Sequence, residues 1–114
     1  AVDVGWEEHG SGPDTLCLVH GFTGARVDFE DHLQGLAGSR RVVAADHRGH
    51  GESTNFATAE AYSLDILADD LLAFVDTISE VPVDILGHSM GGMVALRAVL
   101  RRPEIFRSLI LMDN

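Results

Sequence analysis

The chain has 114 residues, 46% of them hydrophobic and 23% charged, a mixture typical of a globular protein rather than a disordered one. Its 18 acidic and 8 basic side chains give a formal net charge of −10, which repels phosphates and argues against nucleic-acid binding. Cys17 is the single cysteine, so an internal disulfide is excluded, and no apolar run approaches the ~18 residues of a membrane span. We therefore expect no nucleic-acid or membrane partner. The N-terminal residues do not resemble a signal peptide, which favours a cytoplasmic location.

Apolar segments separated by glycine and proline predict an alternation of strands and helices. In chain order they predict strands at 2–8 and 15–19, a helix at 29–36, a strand at 41–45, a helix at 63–79, a strand at 83–86, a helix at 90–101 and a strand at 108–112. Most of the strands are continuous apolar runs, as expected when both faces of a parallel sheet are buried. Cys17 lies in such a run and is expected to be unreactive. The order predicts an α/β fold, a mostly parallel sheet with helices on both faces.

The sharpest chemical signal is the segment Gly87-His88-Ser89-Met90-Gly91-Gly92, between a predicted strand and a predicted helix. A strand-to-helix turn this tight forces strained backbone angles on its apex residue, and glycines two positions before and after remove the side chains that would clash. The Ser89 hydroxyl would then project over a helix N-terminus, where N–H groups and the helix dipole stabilise developing negative charge. The alternative is a glycine-rich turn without a catalytic role.

The oxyanion of a carbonyl addition needs two hydrogen-bond donors, and two backbone N–H groups are candidates. One belongs to Met90, directly after the serine. The other belongs to Phe22, in a loop after the strand at 15–19, where Gly21 permits the necessary turn. Taken alone, this loop would be interpreted as structural, with His20 capping or packing. The catalytic interpretation is favoured because the same sequence contains the predicted nucleophile Ser89.

The glycine-punctuated segment 46–53 is interpreted as a structural loop tied by Asp46 and Arg48. It lacks the Gly-x-x-x-x-Gly-Lys-Ser/Thr pattern of a phosphate-binding loop and does not run directly into a periodic helix. The spacing of His47 and His50 fits no standard zinc pattern, so the sequence predicts no metal site.

Three segments together resemble the α/β-hydrolase fold family: His20-Gly21-Phe22-Thr23-Gly24, Asp46-His47-Arg48-Gly49-His50-Gly51-Glu52-Ser53 and Gly87-His88-Ser89-Met90-Gly91-Gly92. Their order and spacing agree with the family along nearly the whole chain, although esterases, lactonases, thioesterases and C–C bond hydrolases share them. The resemblance implies Ser89 as the nucleophile and the N–H groups of Phe22 and Met90 as the oxyanion hole, with Gly21 and His88 lining the pocket. A serine here differs from the aspartate that haloalkane dehalogenases and epoxide hydrolases place at this position.

The same resemblance implies that residues 1–114 are the N-terminal part of a single hydrolase domain, truncated after the strand that follows the nucleophile helix. In this family the acid and then the histidine follow the serine, so the histidine would lie beyond Asn114. Asp113 stands where a minority of members place the acid and more often a pocket residue lies. The strand at 108–112 would be internal in the full sheet. We therefore expect the C-terminal half of the same protein, with its cap, or a second chain to cover that edge.

These inferences predict a serine hydrolase that cleaves carboxylic ester or related acyl bonds, such as lactones and thioesters, through an acyl-enzyme on Ser89. The substrate would be a small ester-type molecule, no cofactor or metal would be required, and the 114 residues alone would be inactive. Two alternatives stay open. One is a non-catalytic binding or scaffold protein on the same fold, because fold does not determine function. The other is a lyase or synthase that uses the oxyanion site without acylation.

Overall fold

The computed structural model describes residues 5–20, 40–46 and 63–112. Within those ranges the chain forms five strands, β1 (Trp6–His9), β2 (Thr15–Val19), β3 (Arg41–Ala45), β4 (Val83–His88) and β5 (Phe106–Met112). Two α-helices, α1 (Leu64–Ile78) and α2 (Met90–Arg101), flank β4 in the sequence, and a 3₁₀ turn (Pro103–Ile105) leads from α2 into β5. No helix in the described part of the chain is long and apolar enough to cross a membrane.

The five strands form one sheet in the order β1-β3-β2-β4-β5. β2 pairs in parallel with both β3 and β4, and β4 pairs in parallel with β5. β1 pairs with β3 in the antiparallel direction. The prediction of a mostly parallel sheet is therefore confirmed, and β2 lies at its centre.

Burial of both faces explains the continuous apolar runs of the central strands. All five residues of β2 are buried. Cys17 and Val19 face a core cluster that contains residues of both helices, whereas Leu16 and Leu18 belong to a second cluster with side chains of β3. Successive side chains of a strand point to opposite faces, so α1 and α2 pack on the same face of the sheet. The helix predicted at 29–36 lies outside the described residues.

Ser63 and Ser79, the first and last residues of the predicted segment 63–79, cap helix α1. The Ser63 hydroxyl oxygen accepts the N–H of Ile66 at 3.2 Å, which satisfies one of the unpaired donors at the helix start. The Ser79 N–H donates to the Val75 carbonyl at 3.1 Å. The apolar stripe of α1 faces the core with six buried residues, Leu67, Ala68, Leu71, Leu72, Phe74 and Val75. This pattern confirms the predicted helix.

The start of β5 contains a β-bulge. Val83 pairs with Phe106, but the next residue of β4, Asp84, pairs with Ser108, so Arg107 is an extra residue in β5. The buried Asp84 carboxylate accepts hydrogen bonds from Arg107 Nε at 3.0 Å, from Arg107 Nη2 and from Ser108 Oγ at 2.7 Å. Arg107 Nη1 also donates to Asp14 Oδ1 at 2.6 Å. The arginine thus joins β4, β5 and the residue before β2.

This cluster predicts a specific response of stability to acid. Hydrogen bonds from Arg107 hold the pKa of Asp84 below its ordinary value of 3.8, and that effect outweighs burial, which acts in the opposite direction. A carboxyl whose pKa is lower in the folded state stabilises the fold above its unfolded pKa, and this contribution is lost as the pH falls through the folded pKa. Asp84→Asn should therefore be less stable at about pH 7 and lose less stability between about pH 5 and pH 2.

Urea unfolding of both proteins across this pH range measures the effect. Asp76→Asn serves as the control, because it also removes one carboxylate, but an exposed one bonded to Arg102 on the helix side. If Asp84→Asn and Asp76→Asn lost stability equally on acidification, the carboxylate of Asp84 would not carry the expected contribution.

Candidate active site

Ser89 occupies the apex of a tight turn between β4 and α2. Its backbone angles are φ 55° and ψ −119°, and it is the one non-glycine residue with positive φ in the described ranges 5–20, 40–46 and 63–112. Such a conformation costs about 1–3 kcal/mol in a non-glycine residue and persists only where the surrounding structure imposes it. Ser89 is also exposed. The structure therefore presents the predicted nucleophile on a strained turn at the carboxyl end of β4.

Two glycines make this turn possible because backbone atoms occupy the space of a side chain at both positions. A Cβ on Gly87 would lie 2.5 Å from the Gly92 Cα and 2.6 Å from the Gly91 carbonyl oxygen. A Cβ on Gly91 would overlap the carbonyl oxygens of Val19 and His20 and lie 2.7 Å from the Val19 carbonyl carbon. The first glycine lets α2 pack against β4, and the second lets α2 pack against the end of β2. The reason inferred from the sequence for the glycine spacing agrees with these distances.

Hydrogen bonds fix the apex from both sides. The Ser89 N–H donates to the Met112 carbonyl oxygen of β5 at 3.0 Å. The Ser89 carbonyl accepts the N–H of Gly92 in the first turn of α2 at 2.9 Å. The backbone of the candidate nucleophile is therefore held by a neighbouring strand as well as by its own helix.

Met90 is the first residue of α2, immediately after Ser89. The first N–H groups of a helix have no carbonyl partner within the helix, and they carry its positive dipole end. An oxyanion forming beside Ser89 would find such donors at this end of α2. The second predicted donor, Phe22, and its neighbour Gly21 lie outside the described residues.

Three further residues named in the sequence predictions are His88, Asp113 and His20. His88 is half-buried at the end of β4, and strand alternation from Ile85, which faces the helices, places it on the opposite face of the sheet. Asp113 lies outside the described residues. His20 is fully buried just after β2, and its carbonyl packs against Gly91. β2 therefore ends next to the elbow, the strand-to-helix turn from Gly87 to Gly92 that carries Ser89.

The described residues also include a buried thiol and a cavity beside Trp6. Cys17 is fully buried, and burial raises the pKa of its thiol to about 12, which fits the expectation that it is unreactive. A cavity of about 580 Å³ runs between β1 and α1, and the ring of Trp6 meets that of Phe74 edge-on there, with centroids 5.7 Å apart. Ser89 is not among the described residues that line this cavity.

The acidic and basic residues of the bulge were not singled out from the sequence. Arg107 and Ser108 stand between the apolar residues Phe106 and Leu109, and Asp84 interrupts the apolar run of β4. An acidic residue inside one predicted strand and a basic residue just before another were the available signal. Their pairing becomes visible only once the strand order is known.

The fold agrees with a comparison against protein families. The family model of the alpha/beta hydrolase fold matches residues 14–114. The chain therefore belongs to the alpha/beta hydrolase fold family.

Individual relatives differ in their named chemistry. The dihydrolipoyllysine-residue acetyltransferase component of an acetoin cleaving system from Pseudomonas putida is 37% identical over 109 residues, which cover 96% of this chain and 29% of that protein. A pimeloyl–acyl-carrier-protein methyl ester esterase from Neisseria meningitidis is 37% identical over 108 residues, which cover 92% of this chain and 32% of the esterase.

Solved structures confirm the fold. The crystal structure of an epoxide hydrolase from Vigna radiata matches with a TM-score of 0.91 at 24% identity, over 96% of this chain and 34% of that one. At this identity the likeness concerns the fold alone. The chain spans about a third of the length of each of these three proteins.

Proposed function

We propose that the protein containing this chain is a serine hydrolase that cleaves carboxylic ester or related acyl bonds through an acyl-enzyme on Ser89. The observation that carries the proposal is the strained, exposed Ser89 at the start of α2, held there by Gly87 and Gly91. A turn that is costly to maintain and that exposes a hydroxyl over helix N–H groups suits nucleophilic attack on a carbonyl.

In this mechanism a general base removes the Ser89 proton while Oγ attacks the carbonyl carbon of the ester. The carbonyl electron pair moves onto oxygen, and the Met90 N–H donates to the resulting oxyanion. Collapse of the intermediate breaks the bond to the alcohol, which leaves with the proton held by the base. Water then attacks the acyl-enzyme and releases the carboxylic acid. We propose that the base is a histidine outside residues 1–114.

The type of nucleophile favours acyl chemistry over epoxide opening. By resemblance, epoxide hydrolases of this fold place an aspartate at the elbow, whereas this chain has Ser89. The esterase and the acetyltransferase component among the relatives both act on acyl groups according to their names, which supports acyl chemistry.

The outer edge of β5 supports a further part of the proposal, namely that another part of the same protein covers it. Among the described strands, β5 pairs with β4 alone. Ile110, Leu111 and Met112 each expose between 41% and 48% of their surface. A long apolar edge of this kind is normally paired or covered, because it otherwise promotes aggregation.

A fluorophosphonate probe tests the nucleophile directly, since it reacts covalently with activated serines. We expect peptide mass spectrometry of the labelled full-length protein to locate one adduct, on Ser89, and Ser89→Ala to abolish it. Ser11→Ala is the matched control, because Ser11 is exposed in the loop before β2 and should not affect labelling. The proposal would be wrong if Ser89→Ala were still labelled, or if the unmodified protein remained unlabelled, as for a binding protein or a lyase.

A further inference from the structure

The bulge at Arg107 changes the face of the sheet to which the later side chains of β5 point. Phe106 and Leu109 both pack in the cluster on the helix-covered face, although they are three residues apart. In a regular strand, residues three apart point to opposite faces, because the side-chain period is two. The extra residue restores the match, so that Leu109 lies opposite Ile85, which faces the same cluster.

Asp84 bonds to both residues at the bulge. Its side chain is 9% exposed and accepts hydrogen bonds from Arg107 and Ser108. Charge-assisted bonds from a guanidinium to a carboxylate are strong and directional, because two nitrogens donate in a fixed geometry. Asp14 anchors the same arginine from the segment before β2.

The register set at the bulge continues to the elbow. From Asp84–Ser108 onward the pairs advance residue by residue to His88–Met112. The next hydrogen bond after that pair joins the Ser89 N–H to the Met112 carbonyl. Without the extra residue, Leu111 would lie opposite His88, and every later side chain of β5 would change face.

We infer that the Arg107–Asp84 pair positions Ser89 from the far end of the sheet, by keeping the extra residue in β5 and so delivering the Met112 carbonyl to the Ser89 amide. The inference rests on the proposed function, because positioning Ser89 affects catalysis only if Ser89 is the nucleophile. The pair does not contact substrate in this account. It acts through the register of β5.

Residue-resolved amide hydrogen exchange of the full-length protein reads the bond itself. In Asp84→Asn and in Arg107→Gln, we expect exchange at Ser89 to accelerate about tenfold or more relative to Cys17 in β2, the change expected when one hydrogen bond weakens. For p-nitrophenyl acetate, kcat should fall roughly tenfold to a hundredfold with little change in KM, because misplacement of a nucleophile impairs reaction more than binding.

Leu72→Ala is the control for a general loss of stability, because Leu72 is buried in α1 and does not belong to β4 or β5. Arg102→Gln is the control for loss of an arginine's ion pairs, because it frees the exposed carboxylates of Asp76 and Glu104 instead. Equal acceleration at Ser89 in these controls and in the bulge variants would overturn the inference.

The test gives an answer even if the first two variants do not fold or the protein has no activity. If Asp84→Asn and Arg107→Gln fail to fold, Arg107→Lys retains the charge but donates from one nitrogen, and its Ser89 amide must still exchange faster than in the controls. The exchange measurement does not depend on turnover. An unlabelled, inactive protein would disprove the proposed function, whereas an unchanged Ser89 amide in the bulge variants would disprove the positioning role.

Discussion

Replacing Ser89 with alanine is expected to lower kcat for ester hydrolysis by a factor on the order of 10⁶, the loss seen when a serine protease loses its nucleophile. Alanine keeps the Cβ and the backbone of the elbow, so the change removes little more than Oγ. Without Oγ no acyl-enzyme forms, and any residual turnover comes from substrate binding and from donors such as the Met90 N–H. Steady-state hydrolysis of p-nitrophenyl acetate by the full-length protein measures kcat.

The fold should survive this change. Alanine at a positive φ is strained to a similar degree as serine, so the free energy of unfolding in urea should stay close to that of the unmodified protein. Ser11→Ala should retain full kcat, since the residue is exposed in a loop. A folded Ser89→Ala protein that kept more than about 1% of kcat would contradict the acyl-enzyme mechanism.

Gly91→Ala should have the largest effect on stability among these variants. The added methyl group would overlap the carbonyl oxygens of Val19 and His20, which are backbone atoms at the end of the central strand. Relief requires α2 to move away from β2, which we expect to lower the free energy of unfolding by about 3 kcal/mol or more. Because Ser89 adjoins α2, the same movement would displace the nucleophile. Urea unfolding and fluorophosphonate labelling measure the two effects.

Met93→Ala is the matched control for Gly91→Ala. It lies in the same helix, but its side chain is 48% exposed, so its effect on unfolding should stay within about 0.5 kcal/mol. If the two variants unfolded at the same urea concentration, the contact between α2 and the end of β2 would be less restrictive than the structure indicates.

Much of the fold could be predicted because burial leaves a direct pattern in the sequence. The apolar runs at 15–19 and 41–45 coincide with β2 and β3, and the segment 90–101 coincides with α2. The helix predicted at 63–79 needs only its terminal serines reassigned as caps. The Ser89 elbow was also predictable, because its glycine spacing reflects a steric requirement within a few residues.

Relations between distant segments were harder to predict. Periodicity shows which residues are buried but not which strands are neighbours, so the antiparallel pairing of β1 with β3 did not follow from it. β5 begins at Phe106. The predicted strand begins two residues later, because Arg107 interrupts the apolar run. That arginine is explained by a carboxylate in another strand. The predictions for Gly21, Phe22 and Asp113 stay predictions, because these residues lie outside the described ranges.

The backbone angle of Ser89 also bears on how this protein could be engineered. The molecule carries the conformational cost of the elbow at all times, whether or not a substrate is present. Glycine tolerates positive φ, so the substitution that relieves this cost also removes the hydroxyl. A selection for heat resistance alone would thus favour loss of the nucleophile. Any stabilised variant of this chain should be selected for reactivity at the same time.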